Sequence, residues 1–249
     1  MTQHRSSRLN VKGFTIVELM IAMAFISLLL LAIAGIVMQL GSIYNKGVTL
    51  KSVNQAGRSI VADMKQTVAE GQPFDVTIDS SGYQPQRHDG IAASTDYDGG
   101  RLCTSSYSYI WNIGKHIDPN DPSSQRNKYQ GSDSTKPLRF IRIRDDGGQY
   151  CRSDKLNAPI PYTDATELLS EDELAIQDFS IKQLTGSLGS DTTLYNIGIV
   201  VSNAYQDTIY LDTDNDYKCN PPSGTGASEE FCAVNKFEFV VRAGSRGGQ

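Results

Sequence analysis

The chain is poor in the residues from which most catalytic and metal centres are built. It has 249 residues but only three histidines and four cysteines. His4 falls in the first thirteen residues, and His88 and His116 stand alone. Zinc sites need CxxC-type pairs or nearby histidines, and neither is present. A Ser–His–Asp or Cys–His unit would rest on scattered histidines, and no GxSxG, GxGxxG, P-loop or HExxH motif occurs. Carboxylate runs such as Glu171-Asp172-Glu173 read as a solvated face. The expectation is a protein that is not an enzyme and requires no cofactor. Excess positive charge is also missing, since the formal net charge is −5. Without the three bases of residues 1–13, 20 bases face 28 acids, a net charge of −8. Such a body is a poor partner for phosphate backbones, so no nucleic acid is expected. The mean hydropathy is negative, which excludes a multi-span membrane protein.

Charge is scarcest between Phe14 and Met38, where FTIVELMIAMAFISLLLLAIAGIVM carries Glu18 alone. A helix crosses a bilayer core with about 20 apolar residues. Arg5, Arg8 and Lys12 precede this run and no base follows until Lys46, which places the N-terminus in the cytoplasm. Three readings compete. One is a secretory signal with the small-residue site Ala32-Ile33-Ala34 before Gly35. Another is an uncleaved anchor. The third ends a short charged leader at Gly13 and keeps the apolar helix. Glu18 separates them, because a carboxylate within such a segment costs roughly 2.5–3.5 kcal/mol at its centre and less near its edge. Cleavage after Gly13 would free the α-amine of Phe14. That amine on one subunit and Glu18 on the next would neutralise each other as helices pack side by side.

Lys12-Gly13-Phe14-Thr15-Ile16-Val17-Glu18-Leu19 resembles the class III leader and cleavage site of type IV pilins and type II secretion pseudopilins. The resemblance covers about the first forty residues. It implies Gly13 as the last leader residue cut by prepilin peptidase, Phe14 as the N-methylated new terminus and Glu18 as the glutamate that sets filament register. Its implied partners are the membrane, the peptidase and other pilins through the N-terminal helix. The implied location is the bacterial cytoplasmic membrane, as a single-pass chain, and then a periplasmic or extracellular filament.

A helical pattern continues past Leu40. Leu50, Val53, Gly57, Ile60 and Met64 recur at spacings of three and four with Val61 and Val68 beside them, an amphipathic stripe. Gly71 and Pro73 give a stop signal, so one helix of about 57 residues is expected over Phe14–Glu70, with Gly35, Gly41 and Gly47 as weak points. Strands are expected at Phe74–Ile78, Tyr107–Ile113, Leu138–Ile143, Phe179–Leu184, Leu194–Val201, Thr208–Leu211 and Lys236–Arg242. The last alternates for four residues and then reads as wholly apolar. Thr163–Leu174 is a candidate short helix with Asp164 and Glu167 as a cap pair. Ile117–Lys136 and Asn220–Ser228 read as surface loops. The fold class is α+β, a long N-terminal helix against an antiparallel β-sheet domain, which the resemblance names the pilin fold. The expected organisation is 1–13 leader, 14–40 membrane and filament-core helix, 41–70 amphipathic helix and 71–249 β-rich head.

Cys103, Cys151, Cys219 and Cys232 all follow the apolar run, as exported disulfides would. Of three connectivities, the local pairs Cys103–Cys151 and Cys219–Cys232 are expected. Asp212, Asp214 and Asp216 space oxygens two residues apart, like the first three ligands of an EF-hand loop. Tyr217 stands where that loop needs Gly, Ser223 where it needs Glu, and Glu229 or Glu230 would have to reach back. Calcium near the C-terminus of some pilin-like proteins makes Ca²⁺ a candidate there. The resemblance, together with the length, the loops and the paired cysteines, is closest to W- or J-type minor pilins. The function expected is to initiate, cap or join a type IV pilus-like filament. The runners-up are a major subunit and a pilus-associated adhesin or DNA-uptake pilin using Ile117–Lys136.

Overall fold

A helix comes first and strands follow. The computed structural model describes residues 13–74, 99–104, 106–114, 117, 125–152, 155, 158–169, 173–185, 193–203, 209–214, 216–220 and 232–244. Helix α1 (Ile16–Glu70) runs without interruption through Gly35, Gly41 and Gly47. It begins two residues later than expected because Thr15 caps it. The chain falls into two compact units, Met1–Tyr44 and Asn45–Gln249. In the first, the apolar side chains from Phe14 to Leu40 are exposed, and the helix is long and apolar enough to cross a membrane.

The second unit holds the end of α1 and, among the described residues, three antiparallel sheets. Strands β1 (Gly99–Cys103), β2 (Tyr107–Asn112), β3 (Phe140–Arg144) and β4 (Ala165–Glu167) form the first, in that order. Strands β5 (Leu174–Thr185), β6 (Thr193–Asn203) and β9 (Val234–Ala243) form the second in the order β5-β6-β9, and β7 (Ile209–Leu211) pairs with β8 (Tyr217–Cys219). This is an α+β layout.

The stripe of α1 meets both larger sheets. Val53, Ala56, Ile60, Met64 and Val68 share one core with Tyr109, Trp111 and Phe140 of the first sheet and Phe179, Tyr195, Ile197 and Phe239 of the second. Burying each large side chain contributes about 1.5–3 kcal/mol. Leu50 departs from the expectation, being 46% exposed, so the buried stripe begins at Val53. Asp63 ties the helix to the first sheet, accepting the Tyr109 hydroxyl at 2.8 Å and pairing with Arg142. Asn54 accepts a hydrogen bond from Asn235 of β9 at 2.7 Å. Closest of all is Gly57, where an added Cβ would fall 2.0 Å from the Phe237 ring of β9.

Strand β1 escaped the sequence reading because Gly99-Gly100 looks like a turn. The backbone of β2 comes so near that a Cβ on Gly99 would sit 2.3 Å from the Trp111 carbonyl oxygen, and only glycine allows that. The helix expected over Thr163–Leu174 is not formed. A 3₁₀ turn at Tyr162–Asp164 leads into β4, and Glu167 accepts the amides of Phe140 and Leu169 at 3.0 and 3.3 Å instead of capping a helix. In β9 the alternation persists to the end, with Val240 exposed between buried Phe239 and Val241. Of the strand expected at Phe74–Ile78, only Phe74 is described. It stacks on Tyr195 at 4.4 Å, and its amide and carbonyl both bond the Tyr195 hydroxyl. His88, His116 and residues 221–231 lie outside the described residues.

The far face of the first sheet carries a second core of Ile110, Leu138, Ile141, Ile143, Tyr129 and Ile160. Here the expected surface loop is corrected in part, at residues 125–129, while residues 118–124 lie outside the described residues. Gln125, Asn127 and Tyr129, within Ile117–Lys136, are buried. Asn127 donates from Nδ2 to the Trp111 carbonyl and from its amide to Asn112 Oδ1, at 2.8 and 2.9 Å. Asn112 in turn donates to the carbonyls of Asn127 and Leu138. At Gln125 and Asn127 the polarity serves the interior, where amide side chains act as a strand edge would, while Gln130–Ser132, Thr135 and Lys136 face water. Arg101, 1% exposed, closes the network through Asn127 Oδ1 and the carbonyls of Tyr150, Lys155 and Ala158. Burial lowers it to about 10, so it remains cationic at neutral pH.

Two outcomes follow from this packing. Gly57→Ala should lower the unfolding free energy, since overpacking costs about 1–3 kcal/mol against roughly 1 kcal/mol gained in helix propensity. Urea titration reads the loss, and adding Phe237→Leu should recover part of it. Glu167 titrates above the ordinary carboxylate range because burial disfavours its charged form, with Arg139 opposing the shift. The folded state therefore holds this proton more tightly than the unfolded one. Its contribution is full below the ordinary glutamate range and is lost as pH rises through the raised value. Unfolding midpoints across that window should fall with pH in the native chain, and Glu167→Gln should flatten the decline.

Candidate functional site

The residues singled out at the N-terminus converge on the first turn of α1. Thr15 is the cap residue. Its carbonyl accepts the Leu19 amide at 3.2 Å, the first helical hydrogen bond. The Glu18 amide donates to Thr15 Oγ1 at 3.3 Å, while the Thr15 amide and hydroxyl donate to Glu18 Oε2 at 2.9 and 2.8 Å. This is a reciprocal capping box, threonine followed three positions later by glutamate. Among the described residues both donors fall on Oε2, which leaves Oε1 without one. Gly13 lies two residues before the cap, and Phe14 between them is 83% exposed. The sequence reading assigned Glu18 an intermolecular partner and overlooked this local one, although the spacing Thr-x-x-Glu before an apolar run is its usual signature.

The carboxylate places negative charge at a helix N-terminus, where the peptide dipoles favour it. It also satisfies an amide that an apolar surrounding would leave bare. A glutamate in this position is therefore less costly than one in the middle of the run.

The cysteines are joined as Cys103–Cys151 and Cys219–Cys232, with Cα separations of 6.0 and 5.9 Å. Cys103 ends β1, and Cys151 lies in the turn after Asp145-Asp146-Gly147-Gly148. That turn is organised by Asp145, which is buried and accepts Ser108 Oγ at 2.6 Å and the amides of Gln149 and Tyr150 at 2.8 and 3.0 Å. Gly147 and Gly148 take φ of 93° and 64°, a conformation that other residues rarely adopt. Cys219–Cys232 links β8 to the start of β9.

The acidic turn does not present its three aspartates to a common point. Asp212 Oδ1 accepts the amides of Asp214 and Asp216, each at 2.9 Å, and Oδ2 is paired with the Lys218 ammonium. Asp214 and Asp216 are exposed. Among the described residues no three histidine, cysteine, aspartate or glutamate side chains are grouped to hold a metal ion. Glu229 and Glu230, which the calcium expectation would also draw on, lie outside the described residues.

No family model matches the chain, and neither a curated protein nor a solved structure does.

The capping box can be tested on its own. Thr15→Val keeps the volume and removes the hydroxyl, and should weaken the first turn by about 1 kcal/mol. Amide exchange at Thr15, Glu18 and Leu19 in detergent micelles should speed up several-fold, with exchange beyond residue 24 unchanged.

Proposed function

We propose that this chain is a subunit of a type IV pilus-like or pseudopilus filament, released by prepilin peptidase after Gly13 and assembled through its apolar helix. The observation that carries the reading is Lys12-Gly13-Phe14-Thr15-Ile16-Val17-Glu18 opening a 25-residue run with a single charge. The helix Ile16–Glu70, with its exposed apolar surface from Phe14 to Leu40, supports it. In this reading the helix holds the subunit in the cytoplasmic membrane with its N-terminus inside, and the unit bearing the disulfides lies on the exported side. During assembly the free amine of Phe14 on one subunit meets Glu18 on another. Glu18 Oε1, which takes no donor among the described residues, suits that partner. Two opposite charges that neutralise in an apolar core fix axial register, since any slip leaves both unpaired.

The strand-rich second unit and its two disulfides support a minor subunit, one that initiates or caps a filament, over a major one. We assign no reaction to the chain; its chemistry is assembly. Arg126 and Lys128, the bases a DNA-uptake role would use, are half-buried beside the second core, which favours assembly over nucleic-acid capture.

Mass spectrometry of protein recovered from membranes should find a chain beginning at Phe14 with one added methyl group. A chain beginning at Gly35 would overturn the reading and make the product a secreted β-rich protein. In cells, Glu18→Ala should leave both disulfides formed and remove the subunit from sheared fibres, and normal incorporation would remove the register argument.

A further inference from the structure

The β7–β8 hairpin combines an acidic turn with a cation of its own. The strands pair Ile209 with Cys219, Tyr210 with Lys218 and Leu211 with Tyr217. Continuing that register, the Asp212 amide donates to the Asp216 carbonyl at 3.0 Å. Lys218, two residues beyond Asp216, therefore shares a face with Asp212 and reaches it across the strands. The Asp212 side chain is 12% exposed and Lys218 53% exposed, so the carboxylate is nearly covered while the lysine stem reaches it from the solvent side.

We propose that Lys218 supplies from within the chain the positive charge that a calcium ion would bring to the Asp212–Asp216 turn, so that the hairpin folds without a divalent cation. Each oxygen of Asp212 is already served, Oδ1 by two amides and Oδ2 by the ammonium. An entering ion would have to displace the ammonium from Oδ2 and would meet two N–H dipoles converging on Oδ1. Exposed Asp214 and Asp216 would then have to turn inward to complete its shell. The lysine hydrogen bond holds the Asp212 carboxyl below its ordinary range, and Asp212 raises the Lys218 ammonium, so both stay charged at neutral pH. A tethered cation has no binding equilibrium with the medium, and the order of this hairpin is then independent of external calcium. Its far end is fixed covalently, since Cys219 follows Lys218 and is bonded to Cys232.

The test is hydrogen exchange of the full chain in detergent micelles, read on peptides covering residues 209–220, in chelator and in millimolar calcium. The native chain should exchange identically in both conditions. Lys218→Met keeps the aliphatic stem and removes the charge; in chelator it should speed exchange of the Asp214 and Asp216 amides about two- to fivefold, the range of an ion pair at a surface. Asp212→Asn should speed the same amides. Slower exchange of these amides in the native chain on adding calcium would overturn the proposal. So would unchanged exchange in Lys218→Met. None of these outcomes depends on whether the chain enters a filament.

Discussion

A helix stripe that must satisfy two sheets at once leaves little freedom to either. Val53, Ile60, Met64 and Val68 lie between the aromatic face of β2 and β3 and the inner face of β6 and β9, so each sheet's position is set by the same four or five side chains. Gly57 sets the separation on one side, because any side chain there would overlap Phe237. Asp63 sets it on the other, holding Tyr109 and Arg142. Steric contact fixes distance, and the charged hydrogen bonds fix rotation about the helix axis. Together they explain how one amphipathic segment organises strands distant from it in sequence.

The opposite face of the first sheet is held differently. Apolar residues alone would not cover it, since Ile117–Lys136 offers few. Asn112, Gln125, Asn127 and Arg101 bind one another and the backbone around them, replacing a missing strand with side-chain amides. Such a network stabilises only when nearly complete, because each bond left unmade exposes a buried polar group to a cost of about 1–3 kcal/mol. The Cys103–Cys151 bridge and the Asp145 turn stand beside it and hold the segment that supplies three of the four carbonyl and amide partners of Arg101.

These two faces show why some of the fold was legible and some was not. Periodicity revealed α1 and most strands of the larger sheets, since burial on one face writes a repeat of 3.6 or 2 into the sequence. It failed where burial was achieved with polar residues, as at Asn127, or with none, as at Gly99. Composition also misled over Thr163–Leu174, where Asp164 and Glu167 had the spacing of a helix cap but Glu167 served the amide of Phe140 across the sheet. The cysteine pairs followed from proximity in sequence. The aspartate spacing at the β7–β8 turn suggested a metal, and what it could not convey is that Lys218 lies on the same face.

At the N-terminus, sequence and geometry bear on one residue from two sides. A carboxylate in an apolar run costs free energy in a lone subunit, and the intermolecular pairing proposed for Glu18 accounts for its retention only once subunits meet. The capping box accounts for the interval before. With Oε2 held by the Thr15 amide and hydroxyl, Glu18 is already bonded within its own helix. Charge remains, however, and hydrogen bonds to neutral donors do not cancel it. An ammonium from another chain does, in surroundings where the attraction between unlike charges is little screened. In the proposed filament the local contact would lower the cost of waiting in a membrane without removing the drive to associate, and Oε1 would be left for the partner. A glutamate without Thr15 would carry the same charge but would have to order its side chain at the moment of pairing, so in the proposed filament Thr15 would belong to the register device as much as the carboxylate it holds.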